Sequence, residues 1–226
     1  MPGTETRERL QHAALATLRE DGIAGLSARG VARRADVNQA LIFYHYGSLF
    51  DLLEQAASAS VADAVARYQE QFEAAETFSE LLAVGRRLHE QERAAGNVAV
   101  MAQLTAGAHL DARLATAAQR CLHRWVETIE PTVRRLLAHT PLDGMIDHRG
   151  LARAVAAGFI GVELFDGVDA EGAQQALASL EQLGRVLEAF NGLGAVTRRA
   201  IRAHIQRRLN PPTRPPRTPA RRKPSS

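Results

Sequence analysis

Apolar side chains fall three and four residues apart along almost the whole chain, as at Leu10, Ala13, Ala14 and Leu18 and again at Leu177, Leu180, Leu183 and Leu187. That period places them on one face of an α-helix. A half-buried strand needs strict alternation, and no segment of the 226 residues sustains it. The chain is therefore expected to be all-α, with helices burying their stripes against one another. An Ala-rich and Arg-rich composition, in which Lys223 is the single lysine, suits such a body.

Helix punctuation divides the chain into about nine or ten helices. The first runs from Thr6 to Glu20 and stops at Gly22. Ser27 caps a short helix, Ala28 to Ala35, and Asn38 caps another reaching Tyr46, so that only Asp36 and Val37 link the two. Ser48 with Asp51 has the spacing of a capping box at the start of a long fourth helix ending near Ala74, and Thr77 with Glu80 repeats it. Further helices are expected over 81–95, 98–106, 111–138, 148–165, 171–190 and 195–209, with Pro131 kinking or dividing the longest. Residues 210–226 hold six prolines among arginines, a composition that neither continues a helix nor builds a core, and read as a disordered tail.

Charge is a poor guide to function here. The formal net charge is +3, but Arg214, Arg217, Arg221, Arg222 and Lys223 all lie in the tail, so the body before it is slightly acidic. A nucleic-acid reading must rest on a local motif instead. Cys121 is alone, which removes an intrachain disulfide and a thiolate cluster from consideration and points to a reducing, cytoplasmic setting. No secretory signal is visible, because Thr4 to Arg9 is dense in charge. The most apolar run, Ala154 to Val162, falls short of the ~20 residues that span a bilayer, so no membrane partner is expected.

Two short helices joined by a tight turn behind a supporting helix form the scaffold of a helix-turn-helix, whose second helix enters the major groove. Val37 just before the segment Asn38 to Tyr46, and Ile42 and Tyr46 within it, lie on the side that must pack inward. Gln39 and Ala40 at its start, and Phe43, Tyr44 and His45 one turn later, lie on the other. A helix N-terminus directs unpaired N–H groups toward phosphate, so a basic recognition helix is not required. Arg29, Arg33 and Arg34 on the preceding helix can add charge.

The stretch AALATLREDGIAGLSARGVARRADVNQALIFYHYGSLFDLL resembles the N-terminal domain of TetR-type regulators nearly end to end, from about Arg7 to Leu53. Ser27, the pair Val31 and Ala32, and IFYHYGS followed by Leu52 and Leu53 carry most of the likeness. The resemblance implies that Ser27 and Ser48 contact phosphate at helix starts, that Arg29, Asn38, Gln39 and Ala40 touch bases or backbone, and that Tyr44 and His45 meet phosphates. The sequence departs from the family at Phe43, where tyrosine is frequent, and at Leu49, where lysine is usual.

The resemblance further implies a ligand-responsive regulator, a repressor that binds a palindromic operator in double-stranded DNA as a homodimer and answers to a small-molecule effector. Residues 1–53 would be the DNA-binding domain, 54–209 the effector-binding and dimerisation domain, and 210–226 the tail. Ala157, Gly158 and Gly161, with the stripe Leu177, Leu180, Leu183 and Leu187, are the candidate dimer interface. Met101, Trp125, Phe159 and Phe165 are the candidate effector pocket. No HExxH, P-loop or G-x-S-x-G motif occurs, and His123 with Glu127 is a surface pair at helical spacing rather than a metal site, so neither enzyme, metal nor cofactor is expected. A helical carrier or enzyme without DNA affinity, and an architectural protein without sequence preference, are the rival readings.

Overall fold

A computed structural model describes residues 2–138, 140–189 and 193–209. Among them the chain forms ten α-helices: α1 (Pro2–Asp21), α2 (Ala28–Arg34), α3 (Ala40–Tyr46), α4 (Leu49–Ala74), α5 (Phe78–Ala94), α6 (Asn97–Gly107), α7 (Ala112–Leu137), α8 (His148–Asp166), α9 (Ala170–Ala189) and α10 (Ala195–Leu209). A short 3₁₀ turn, Ile23–Gly25, follows α1. The all-α expectation holds. The proposed tail lies outside the described residues.

The caps read from the sequence are formed. The hydroxyls of Ser27, Ser48 and Thr77 each accept a hydrogen bond from the N–H three residues on, of Gly30, Asp51 and Glu80, at 3.1 Å. Each satisfies one of the N–H groups a helix start leaves unpaired. The Glu80 carboxylate completes its box by accepting from the Glu76 N–H at 2.7 Å, whereas Asp51 accepts from the Ser48 hydroxyl itself at 2.6 Å.

Pro131 does not divide α7, which runs unbroken from Ala112 to Leu137. A proline in a helix interior costs about 3 kcal/mol. Around it Val126, Ile129, Val133, Leu136 and Leu137 are all buried, each worth about 1.5–3 kcal/mol, so packing outweighs the local defect.

Three apolar cores succeed one another along the molecule. The first joins Leu10, Ala13 and Ala14 of α1 to Val31 and Ala32 of α2, Ile42 and Tyr46 of α3 and Leu52 of α4. The second centres on Leu53, Ala57 and Val61 of α4, with Leu18 of α1, Leu104 of α6 and Leu114 and Cys121 of α7. The third holds Tyr68 and Phe72 of α4, Phe78 to Leu88 of α5, the C-terminal half of α7 and Ala152 of α8. Helix α4 thus contributes to every one of them. Helix α9 packs on α5 and α8, where Ala173 and Leu177 meet Val162 and Phe159.

Candidate nucleic-acid interface and ligand cavity

The α2–α3 turn is built from both sides. Asp36 adopts a left-handed conformation with φ 52°, and the Val37 N–H reaches back to the Ala32 carbonyl at 3.0 Å, a bond that closes α2 and redirects the chain. Arg9 of α1 clamps this turn, its Nη2 donating to the carbonyls of Ala35 at 2.6 Å and Asp36 at 3.0 Å. Helix α3 then starts one residue later than the sequence suggested. Asn38 is still its chemical cap, because its Oδ1 accepts from the Ala40 N–H at 2.8 Å.

On its inner face, α3 is anchored by buried Ile42 and by Tyr46, whose hydroxyl donates to the Arg7 carbonyl at 2.9 Å while the Arg7 guanidinium lies 5.2 Å from its ring centre. Burial pushes the Tyr46 hydroxyl above its ordinary pKa, so it stays a neutral donor. The outer face is open. Tyr44 is 80% exposed and Phe43 50%, and Tyr44 meets the half-buried His45 edge to face at 4.9 Å. Two adjacent exposed aromatic rings on a helix anchored by its other face make this side of α3 a candidate interface.

Ser27, Arg29, Asn38, Gln39 and Ala40 are likewise exposed, and Ser48 is partly so. All nine residues singled out for DNA contact therefore reach the surface of the α2–α3–α4 head. Arg34 does not share that freedom: Glu20 at 2.5 Å and Asp21 at 3.2 Å hold it, and the bond to Glu20 raises its pKa. Arg29 and Arg33 keep no ion pair among the described residues. Leu49 is half-buried against the first core, so the position where the family carries lysine serves packing here.

Behind the head, α4, α5, α6, α7 and α8 line a cavity of about 100 Å³, room for a small organic molecule. Met101, Trp125 and Phe159 line it, as the sequence suggested, together with Phe72, Leu88 and Val155. Phe165 does not: it is 54% exposed near the α8–α9 turn. Glu92 and Glu163 also line the cavity and were not singled out. Glu163 stands at the end of the apolar run Ala154 to Val162, and a lone acid in that position was the available signal. Phe159 lies so close to α5 that a Cβ at Gly85 would fall 2.0 Å from its Cζ, which explains why this turn of α5 carries glycine.

A polar strut connects the cavity wall to the head. Glu92 accepts from Asn97 Nδ2 at 2.6 Å, and Asn97 Oδ1 accepts in turn from Arg19 Nη2 of α1 at 3.4 Å. Arg19 Nε also donates to the Gly96 carbonyl at 3.2 Å. Gly96, at φ 73°, could hold no side chain without meeting Arg19, whose Cδ would lie 2.5 Å from its Cβ. A second, more polar cleft lies between α5, α8 and α9, where Arg93 pairs with Asp166 at 2.8 Å.

The candidate dimer residues divide. Ala157, Gly158 and Gly161 of α8 are exposed, as is Leu183 at 55%, next to Val186 at 56%. Leu180 is half-buried. Leu177 is buried within the chain and Leu187 packs against the third core, so these two belong to internal packing. His123 and Glu127 meet at 3.0 Å on an exposed face. No described helix is long and apolar enough to cross a membrane.

Residues 10–56 match the family model for bacterial regulatory proteins of the tetR family. No curated protein matches the chain. Among solved structures, a Rhodococcus sp. protein assigned as a TetR-family transcriptional regulator superposes with a TM-score of 0.68 at 22% identity, over 81% of this chain and 98% of that one. GusR of Salmonella enterica gives 0.63 at 19% identity, over 80% and 94%. A Saccharomonospora viridis protein assigned as a transcriptional regulator and solved with choline gives 0.63 at 20% identity, over 79% and 95%. At these identities the likeness is one of fold, whereas the match over 10–56 is one of sequence. Residues 10–56 are therefore a helix-turn-helix domain of the tetR family of bacterial regulatory proteins, carried on an all-α fold of the kind that TetR-family regulators have.

Proposed function

We propose that this TetR-like DNA-binding regulator is a cytoplasmic, ligand-responsive repressor that binds a palindromic operator as a homodimer. The observation that carries this reading is the two-sided construction of α3. Its inner face is fastened by Ile42 and Tyr46, while Tyr44 and Phe43 stand largely in water, and the edge of His45 that Tyr44 meets covers little of it. In the proposed complex the nine residues Ser27, Arg29, Asn38, Gln39, Ala40, Phe43, Tyr44, His45 and Ser48 face DNA from the domain formed by residues 1–53. Residues 54–209 form the effector and dimerisation domain.

The exposed apolar strip of Ala157, Gly158, Gly161, Leu183 and Val186 supports pairing of α8 and α9 with their copies around a two-fold axis. Such a dimer sets two α3 helices about one DNA turn, roughly 34 Å, apart. The apolar cavity supports an effector site, and a protein of like fold holds choline. An effector that binds one arrangement of the heads better than another shifts the population between them. The reading assigns the chain no catalytic step.

Selection of bound sequences from random duplex DNA tests this. A palindromic consensus is the expected result. Recovery of unselected sequence would leave an architectural DNA binder, and absence of any retained duplex would leave a small-molecule carrier, for which the cavity alone would suffice.

A further inference from the structure

A cavity walled by hydrocarbon and aromatic rings excludes ions unless it supplies a counter-charge. Two carboxylates interrupt the apolar wall, Glu92 from α5 and Glu163 from α8. Their situations differ. Glu92 is already partnered, since Oε1 accepts from Arg67 at 2.7 Å and Oε2 from Asn97 at 2.6 Å. Glu163 receives no hydrogen bond and no ion pair from any described residue.

Nor is a neighbouring cation left for it among the described residues. Arg67 of α4 is committed to Glu92, and Arg93 of α5 to Asp166. Burial lowers the pKa of His89 on α5, which favours its neutral form. The groups that α4, α6 and α7 present to the cavity are Ser60, Asn97 and otherwise apolar side chains such as Leu122 and Trp125. Burial pushes the Glu163 carboxyl up to about 7, and the negative Glu92 adds to the effect. The carboxylate is held where its charge is penalised, and a cation brought in by a ligand would lift that penalty.

Resting on the effector reading above, we infer that the cavity takes a small apolar molecule with one protonated amine, which donates to the Glu163 carboxylate while its hydrocarbon lies among Phe72, Trp125 and Phe159. The ring faces favour a cation as well. A carboxylate ligand meets two acids and is rejected. A neutral alcohol gains one hydrogen bond and leaves the charge penalty in place. Because the amine ionises Glu163, its binding releases protons, and more of them at pH 6 than at pH 7.

The test is calorimetry on the full chain without DNA, titrating n-hexylammonium, hexan-1-ol and hexanoate at pH 7 in two buffers of different ionisation enthalpy. The amine should bind at least about tenfold tighter than the alcohol, hexanoate should not bind, and the amine's heat should differ between buffers. Glu163→Gln should lose at least about tenfold in amine affinity and the buffer dependence, with hexanol unchanged. Equal affinities for amine and alcohol, identical heats in both buffers, an unaltered Glu163→Gln variant, or no binding of any probe would each overturn the inference. Should that variant fail to fold, the wild-type comparison of amine with alcohol decides alone. With DNA absent from the cell, a failed operator selection leaves this result standing, and the reverse holds too.

Discussion

Replacing Tyr44 and His45 together with alanine separates recognition from folding. Tyr44 is 80% exposed, so truncating it removes little burial, and surface substitutions of this kind move stability by about 0.5 kcal/mol or less. His45 is half-buried and its ring meets Tyr44 and Tyr46 edge to face, adding about as much again. The anchors of α3, Ile42 and the Tyr46 bond to Arg7, are untouched. The melting temperature should therefore fall by no more than about 2–4 °C. On DNA the balance reverses. Each side chain gives up a bond to a charged phosphate, taken at about 1 kcal/mol net because the partner stays hydrated, and a dimer carries four such bonds. The expected loss is about 4 kcal/mol, roughly a thousandfold in operator affinity. Fluorescence anisotropy on the selected operator, alongside circular dichroism and sedimentation, measures both sides. A folded dimer of unchanged affinity would refute the placement of DNA on this face.

Leu183→Arg introduces charge at an exposed position of α9 and should yield folded monomers with little operator affinity; an intact dimer in sedimentation would move the interface elsewhere. Gly85→Ala forces Phe159 off α5 and into the cavity, so it should cost about 1–3 kcal/mol of stability and weaken binding of any molecule there, read together by thermal melts with and without n-hexylammonium. A variant that binds as well as wild type would mean Phe159 finds room outside the cavity. Arg19→Ala removes the strut from α1 to Asn97 and Gly96 and should leave operator affinity within about threefold while lowering the response of DNA binding to a cavity ligand by about 1 kcal/mol. An undiminished response would show that coupling travels by another route.

Much of the head was readable because its signals are local. Ser27, Ser48 and Thr77 cap helices by bonds spanning three residues, and the two-residue link at Asp36 and Val37 leaves the chain few options. Apolar period says which face of a helix is buried but not against what. Leu177, Leu180, Leu183 and Leu187 share one period, yet Leu177 and Leu187 pack within the chain while Leu183 stands in solvent. The cavity shows the same limit. Met101, Trp125 and Phe159 come together from three helices, and Phe165, six residues beyond Phe159, is carried past the cavity's end. Glu92 and Glu163 acquire meaning only from their surroundings: one is bonded by Arg67 and Asn97, the other receives no hydrogen bond or ion pair from any described residue. At Pro131 a local rule was overruled by five buried neighbours on α7.

Helix α4 bears on how the molecule comes apart. At 26 residues it is about 39 Å long, and Leu52, Leu53 and Tyr68 sit in three successive cores. A segment that melts alone must leave its neighbours' packing intact, and no part of this rod from Leu52 to Phe72 can do so. Head and body should then lose structure in one transition, and the amides at the middle of α4 should exchange with solvent only when the whole chain opens. A molecule lodged in the cavity would raise the melting point of the DNA-binding helices it never touches.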